Sequence, residues 1–176
     1  EGATYMTDRE KTLLLNCMRE NIGDATHAED HIFRVTNAAR DIARTEQGVD
    51  EEALFCACLL HDIGRREQIE KPSRPHAAVG AEKARTFLVE NGWSEAFAAR
   101  VSQIIAAHSS REMAANGGLE EKILFDADKL DMIGSVGLCR SIAYAVQAGE
   151  PTSLRSPRPM AAQCCARWKM KKPFRL

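Results

Sequence analysis

No part of the 176-residue chain is apolar over the roughly 20 residues that a membrane-spanning helix needs. The longest unbroken apolar run is Ala53–Leu60. An N-terminal signal pattern, with a basic start, an apolar centre and a small-residue cleavage site, is also lacking. A formal net charge of −1 provides no global attraction for nucleic acid or an anionic membrane. We therefore expect a cytoplasmic protein in which any recognition of phosphate is local.

Cysteine pairs with the spacing of a metal site are also missing. The six cysteines include no CxxC pair, and two of them, Cys56 and Cys58, lie within the apolar run. A free cysteine in such surroundings usually behaves as a small buried hydrophobe. The pattern therefore predicts reduced core thiols, as in a cytoplasmic protein, rather than a zinc site or a disulfide framework.

What the chain does contain is the composition of an ordinary globular protein, with 44% apolar and 28% charged residues. Its length suits one compact domain and hardly leaves room for two. Residues 1–5 are interpreted as a vector remnant before a natural start at Met6. We expect residues 6–176 to form a single domain.

Helical signals dominate the first half of the sequence. Thr7 and Glu10 form a capping-box pattern before an apolar stretch. Apolar residues then recur at helical spacing over residues 28–44. Asp50 can cap a third helix, which carries the apolar run to His61 and is apolar nearly all round. This third helix is predicted to be the central buried one.

The second half continues in the same way, and no stretch shows convincing strand alternation. Residues 64–75 contain a glycine and two prolines and are predicted to form a loop. Helices are predicted from His76 to Gly92 and, with Ser94 as a cap, to His108. A long helical segment over residues 119–147 is weakened by two glycines. The sequence therefore predicts an all-α fold.

Three of the five histidines lie against predicted apolar surface. His61 ends the buried helix, His108 ends another apolar helix, and His31 lies within an amphipathic one. Taken singly, each is explained as a surface or satisfied core histidine. Burying a polar group without a partner costs ~1–3 kcal/mol or more, and several imidazoles at inner helix ends can share a metal ion. Their placement predicts a metal site.

Carboxylates for such a site are available in FDADKLD, residues 125–131. Asp128 and Asp131 are three residues apart and share one face of a helix. Asp126 lies about 200° from Asp128 around the helix, so both cannot easily face one ion. The alternative is a solvated helix face.

Three segments, in this order, resemble the HD-domain superfamily of metal-dependent phosphohydrolases. They are DHIFRV at 30–35, LLHDIG at 59–64 and DADKLD at 126–131. The signature of that superfamily is a His, then a His-Asp doublet, then a distant Asp. The likeness covers about residues 25–145 and implies a compact helical bundle with a metal site. The implied ligands are His31, His61, Asp62 and Asp128.

Two further segments resemble the additional histidine motifs of HD members that bind two metals, including cyclic-nucleotide phosphodiesterases. Cyclic-dinucleotide phosphodiesterases form another branch of these members. PHAAVGAE at 75–82 and IIAAHSS at 104–110 imply that His76 and His108 hold a second ion, bridged to the first by Asp62. Alternatively, the two histidines donate hydrogen bonds to phosphate or protonate the leaving oxygen. The number of metal ions per chain, one or two, is left open by the sequence.

The phrases around these motifs also bear on the substrate. The residues after His108, SSREMAANGG, lack the second adjacent His and the GYP segment of the cyclic-dinucleotide branch. DADKLDMIGSVG is closer to small stand-alone bacterial HD hydrolases, several of which resemble nucleotide phosphohydrolases. The resemblance therefore implies hydrolysis of a phosphate ester or anhydride, above all of a nucleotide.

Imidazole and carboxylate ligands suit several divalent ions, and we keep Mn²⁺, Fe²⁺, Co²⁺, Zn²⁺ and Mg²⁺ as candidates. A bound metal lowers the pKa of water, and two ions ~3.5–4 Å apart can stabilise both the attacking and the leaving oxygen. Outer acids such as Asp30 or Asp131 could orient the ligating rings. The residues expected to take part in hydrolysis itself are Asp62, His76, His108 and Lys129.

A phosphate also needs positive charge beyond the metals. Four cations follow the His-Asp pair within one predicted loop, and Lys129 lies beside Asp128. Arg65 and Lys129 are nearest in sequence to the implied ligands. A solubilising surface loop is the alternative. The expected substrate-binding residues are Arg65, Lys71, Arg74, Lys129 and Asp131.

Two other functions are compatible with the sequence. A degenerate HD module would sense a nucleotide or a metal without turnover. The C-terminal region, residues 150–176, is predicted to contain a proline-bounded loop at 151–159 and a short helix at 160–172. Trp168 and Phe174 lie in or near this helix and could dock a second subunit to form a homodimer.

Overall fold

The computed structural model of the protein describes residues 6–22, 29–70 and 73–147, and the fold is all-α as predicted. Nine helices and no strands occur within these ranges. The helices are α1 (Asp8–Asn21), α2 (Glu29–Ala43), α3 (Glu51–Leu60), α4 (Arg65–Glu70), α5 (His76–Glu90), α6 (Glu95–Ala107), α7 (Arg111–Asn116), α8 (Leu119–Leu130) and α9 (Gly134–Gln147).

Side-chain caps begin three of the helices where the sequence predicts them. The Thr7 hydroxyl accepts a hydrogen bond from the Glu10 backbone, and the Glu10 carboxylate accepts one from the Thr7 backbone at 2.7 Å. This confirms the capping box of α1. Asp50 and Ser94 each accept a hydrogen bond from the backbone N–H three residues on, and they cap α3 and α6.

Helix α3 is the central helix of the bundle. It packs against α1, α2, α6 and α8, and from Ala53 to Leu60 only Phe55 is not fully buried. The free thiols Cys56 and Cys58 are buried in this helix, and burial raises the pKa of both, that of Cys58 to about 12. These thiols therefore stay protonated and pack as small hydrophobic groups.

The structure differs from the prediction in the segment after α3. Residues 64–75 are predicted to form a loop, but Arg65–Glu70 form helix α4, so that prediction is wrong. The glycine of the segment, Gly64, precedes this short helix and so does not interrupt it.

A second difference concerns the long segment over residues 119–147. Helix α8 ends at Leu130, and α9 begins at Gly134, which has a φ of 75°. A positive φ is readily adopted by glycine alone, so Gly134 allows the chain to turn between the two helices.

The chain divides into two compact units, Glu1–Ser141 and Ile142–Leu176. The first unit contains α1 to α8 and the first part of α9. In the second unit the structure describes residues 142–147, the end of α9. The predicted loop at 151–159 and helix at 160–172 lie outside the described residues, and the single domain over residues 6–176 stays a prediction. No described helix is both long enough and apolar enough to cross a membrane.

Candidate functional site

Five helices bring six of the predicted site residues together at a buried centre. The side chains come from the interior of α2, the residues that follow α3, the start of α5, the residue after α6 and the last turn of α8. Because α3 is the central helix of the bundle, the residues that follow its last turn are buried at this centre. All six residues are buried: His31, His61, Asp62, His76, His108 and Asp128.

The first group of possible ligands consists of His31, His61 and Asp128. Each offers one ligand atom, and these atoms lie within 4.8 Å of one another. His31 Nε2 is 3.6 Å from Asp128 Oδ1, and the His31 and His61 rings meet edge to face. The spacing suits one ion held between the three side chains.

The second group consists of Asp62, His76 and His108, with ligand atoms that also lie within 4.8 Å of one another. Asp62 Oδ1 is 3.7 Å from Nε2 of both histidines. The other oxygen, Oδ2, is 3.6 Å from His31 Nε2 and 3.7 Å from His61 Nε2 in the first group. Asp62 therefore presents one oxygen to each group.

Hydrogen bonds fix the ring orientation of three of the histidines. His61 Nδ1 and His108 Nδ1 each face the backbone carbonyl three residues earlier, at 2.8 Å and 2.6 Å. His31 Nδ1 faces Asp131 Oδ2 at 2.8 Å. A carbonyl or a carboxylate can only accept, so this network assigns the hydrogen to Nδ1 in each ring. The Nε2 lone pairs are then directed into the centre, as in metal-ligating histidines.

Two buried polar atoms of the centre have no hydrogen-bond partner in the described part of the chain. They are His61 Nε2 and Asp62 Oδ2, which lie 3.7 Å apart. Leaving such atoms unsatisfied costs ~1–3 kcal/mol each, and a cation between them would satisfy both. The residues present therefore fit a metal ion.

The ionisation states of the centre are those that metal ligands require. Burial lowers the pKa of His61 to about 4 and that of His76 to about 3, so both rings are neutral at pH 7. Burial opposes ionisation of Asp128, but the adjacent Lys129 ammonium and the nearby His61 and His108 together outweigh it and lower the pKa to about 2. Burial likewise opposes ionisation of Asp62, but His61 and the other nearby imidazoles hold its pKa well below its usual range.

Of the predicted substrate-binding cations, two lie at the centre. Arg65 Nε donates to Asp62 Oδ1 at 2.9 Å, and Lys129 Nζ donates to Asp128 Oδ2 at 2.6 Å. Arg74 instead pairs at the surface with Glu82, and Lys71 lies outside the described residues.

Asp131, expected to contact substrate or to orient a ring, lies behind His31. Its largely buried carboxylate accepts from His31 Nδ1, from Arg34 Nε at 2.5 Å and from Arg140. Asp30, the other outer acid considered, is exposed and pairs with Arg34. Neither arginine was predicted from the sequence as part of the site. Arg34 had a weak signal, since it lies one turn from His31 on the same helix.

Two glycines set the spacing between α5 and the turn after α3. A Cβ on Gly64 would lie 2.3 Å from the His76 carbonyl oxygen and 2.5 Å from the Gly80 nitrogen. A Cβ on Gly80 would lie 3.2 Å from the His61 carbonyl oxygen. This close backbone contact brings the His-Asp pair against the start of α5, where His76 lies.

The HD-domain family model matches residues 29–133, and the chain belongs to the HD family. HD domains bind divalent metals, and the two groups described above provide residues that could hold them. No curated protein matches the chain.

Several solved structures resemble it. A predicted HD superfamily hydrolase from an uncultured Thermotogales bacterium is 37% identical, with a TM-score of 0.62 over 74% of this chain and 73% of that one. YpgQ from Bacillus subtilis, solved in complex with ADP, is 25% identical, with a TM-score of 0.58 over 80% and 67%. A Lactobacillus plantarum protein, 24% identical with a TM-score of 0.67 over 88% and 72%, shares the fold. Family and relatives together support a metal-dependent hydrolase.

Proposed function

We propose that this protein is a metal-dependent phosphohydrolase that acts on a nucleotide. The observation that carries the proposal is the pair of buried ligand groups that share the Asp62 carboxylate, one oxygen facing each group. Pairs of metal ions about 3.5–4 Å apart are typical of enzymes that cleave phosphate esters and anhydrides.

In this proposal the first group, together with Asp62, would hold one divalent ion, and the second group would hold another. When bound, the ions supply an activated water and neutralise charge on the phosphate. The imidazole and carboxylate donors suit Mn²⁺, Fe²⁺, Co²⁺ and Zn²⁺, and Mg²⁺ remains a further candidate.

The remaining residues of the centre bind and position the substrate. Lys129 lies at Asp128 and Arg65 at Asp62, so each carboxylate that serves a ligand group has one cation beside it. Arg65 donates to Asp62 through Nε, and its two terminal nitrogens make no other hydrogen bond within the described residues. These nitrogens are available to phosphate oxygens, which a guanidinium binds in a bidentate manner.

The choice of a nucleotide is supported by the relative YpgQ, whose structure contains ADP. The match to YpgQ has 25% sequence identity and covers 80% of this chain. We extend this to nucleoside mono-, di- and triphosphates and cyclic nucleotides as the class to be tested.

The test is a phosphate-release screen over these nucleotides with Mn²⁺, Mg²⁺, Co²⁺ and Zn²⁺, using the whole chain and the variant Asp62→Asn. Asparagine keeps the shape of the side chain and removes the charge that both groups share. We expect the wild type to hydrolyse its substrate. The variant should lose more activity than the roughly 10–100-fold that follows removal of a residue that only hydrogen-bonds a metal ligand.

Asp41→Asn is the matched control, because Asp41 is exposed and pairs only with Arg44 among the described residues. It should retain wild-type activity. Full hydrolysis by Asp62→Asn would contradict the proposal. Thermal stabilisation by a nucleotide with no phosphate release over a long incubation would instead favour a sensor module.

A further inference from the structure

The two ligand groups differ in whether their metal-ligand atoms already make hydrogen bonds. In the first group His61 Nε2 is buried without a hydrogen-bond partner among the described residues, and it faces Asp62 Oδ2, which is also unpartnered there. His61 already carries its hydrogen on Nδ1, which donates to the Cys58 carbonyl. No hydrogen bond has to break before His61 and this oxygen accept a cation.

In the second group two of the ligand atoms are hydrogen-bonded to each other. His76 Nε2 and His108 Nε2 are 3.1 Å apart. Because His108 Nδ1 donates to the Ile105 carbonyl, its Nε2 accepts, and the hydrogen between the two rings belongs to His76 Nε2. In that tautomer His76 offers no lone pair at Nε2. Binding of an ion there requires the proton to move to Nδ1 and the contact between the rings to break.

The carboxylate oxygen of the second group is also occupied. Asp62 Oδ1, the oxygen that faces His76 and His108, accepts the 2.9 Å hydrogen bond from Arg65 Nε. The Asp62 side chain is 3% exposed and that of Arg65 is 23% exposed, so solvent screens this charge-assisted contact only weakly. The guanidinium thus supplies the positive charge that a second ion would bring.

We infer that Arg65 competes with the second metal ion for Asp62 Oδ1. The first group then binds its ion tightly, and the second group binds only when Arg65 leaves the carboxylate. This inference rests on the proposed two-ion site. It also links the second ion to phosphate: a phosphate that draws the guanidinium to itself frees Oδ1, and linkage requires each ligand to raise the affinity for the other.

The experiment measures Mn²⁺ binding to the chelator-stripped full chain by calorimetric titration, with free Mn²⁺ counted by electron paramagnetic resonance. We expect the wild type to bind one equivalent tightly and a second weakly. Arg65→Met, which keeps an unbranched side chain as far as the position of Nε but removes the charge, should raise the affinity for the second equivalent roughly tenfold. The first equivalent should change much less.

Two control variants accompany this one. Arg66→Met removes the next cation of α4, which is exposed, and should leave both affinities unchanged. Arg65→Lys keeps a positive charge and should resemble the wild type more than Arg65→Met does. Arg65→Gln replaces Arg65→Met if the latter does not fold. Inorganic phosphate should strengthen the second equivalent in the wild type and have no such effect in Arg65→Met.

The outcomes separate this inference from the proposed function. Two equivalents with an unchanged second affinity in Arg65→Met would overturn the competition and leave the two-ion site standing. Two equally tight equivalents in the wild type would do the same. If neither the wild type nor Arg65→Met binds Mn²⁺, both the metal site and the competition are contradicted.

Discussion

At the scale of single residues, burial by itself lowers the pKa of His61 and His76 and raises the pKa of Asp62 and Asp128. It favours neutral imidazole and is the largest cause of the lowered pKa of His61 and His76, and neighbouring positive groups add to the effect. It disfavours a carboxylate, so Asp62 and Asp128 stay ionised because neighbouring imidazoles and cations outweigh the loss of hydration. The charge of the two carboxylates therefore depends on their neighbours more than on their exposure.

This gives the metal-free protein a pH-dependent stability. The pKa of His61 in the folded chain is about 4 and that of His76 about 3, against 6.5 when unfolded. Below pH 6.5 the unfolded chain binds protons that the folded chain does not, so the free energy of unfolding falls as the pH is lowered towards 4. Above pH 6.5 these residues contribute no slope.

Urea unfolding at pH 8, 7, 6 and 5 in the presence of a chelator measures this slope. His76→Gln should flatten it in part, because one of the two groups with a lowered pKa is then absent. Equal stability at pH 7 and pH 5 in the wild type would contradict the expected protonation.

The sequence predicted the residues that converge at the centre but not how they are held. His31, His61 and Asp128 followed from residue type, helix position and family likeness. The carbonyl that orients His61 belongs to the backbone, so no side-chain pattern reports it. Arg140 reaches Asp131 from another helix, and nothing local in the sequence signals that contact.

At the scale of elements, helices with a side-chain cap and apolar periodicity were predicted well, and short ones were not. Helix α3 has Asp50 as a cap and a long apolar run, so its course to His61 was clear. Helix α4 has six residues, Arg65–Glu70, and is too short for periodicity to show.

The contact between α5 and the turn after α3 leads to a graded prediction. Gly64→Ala places a Cβ 2.3 Å from the His76 carbonyl oxygen, and only a backbone shift can relieve that clash. We expect it to cost at least the roughly 1–3 kcal/mol of overpacking, and Gly80→Ala, with its nearest contact at 3.2 Å, to cost less. Urea unfolding of both variants measures the difference.

The same pair should differ in metal binding, because the shift separates His76 from Asp62. Gly64→Ala should weaken the second equivalent of Mn²⁺ more than the first, whereas Gly80→Ala should weaken it only slightly. Equal stability of the two variants would show that the turn and α5 are not held by this backbone contact.

At the scale of the whole molecule, one buried ion cluster joins three helices. Arg100 of α6 pairs with Glu120 Oε2 of α8 at 2.5 Å and also with Glu121. Glu120 Oε1 in turn accepts from the Asp50 backbone at 2.6 Å, at the start of α3. Both glutamates are buried, so the cluster ties the central helix to its neighbours through paired charges.

Arg100→Met leaves two buried carboxylates without their counter-charge. We expect a loss of roughly 2–3 kcal/mol in the free energy of unfolding, less than for a fully buried pair because Arg100 is 29% exposed. Arg44→Met is the control, since its pair with Asp41 is exposed and should contribute under about 1 kcal/mol. Similar losses in the two variants, measured by urea unfolding, would contradict a structural role for the cluster.

The proposed ligands are far apart along the chain, from His31 in α2 to Asp128 in α8. Their convergence requires most of the bundle to be folded, so an unfolded chain cannot reproduce the site. Binding to the folded state alone adds RT ln(1 + [M]/Kd) to stability, where [M] is the free metal concentration. The lifetime of this protein against proteolysis would then follow the supply of metal in its surroundings, independently of any substrate.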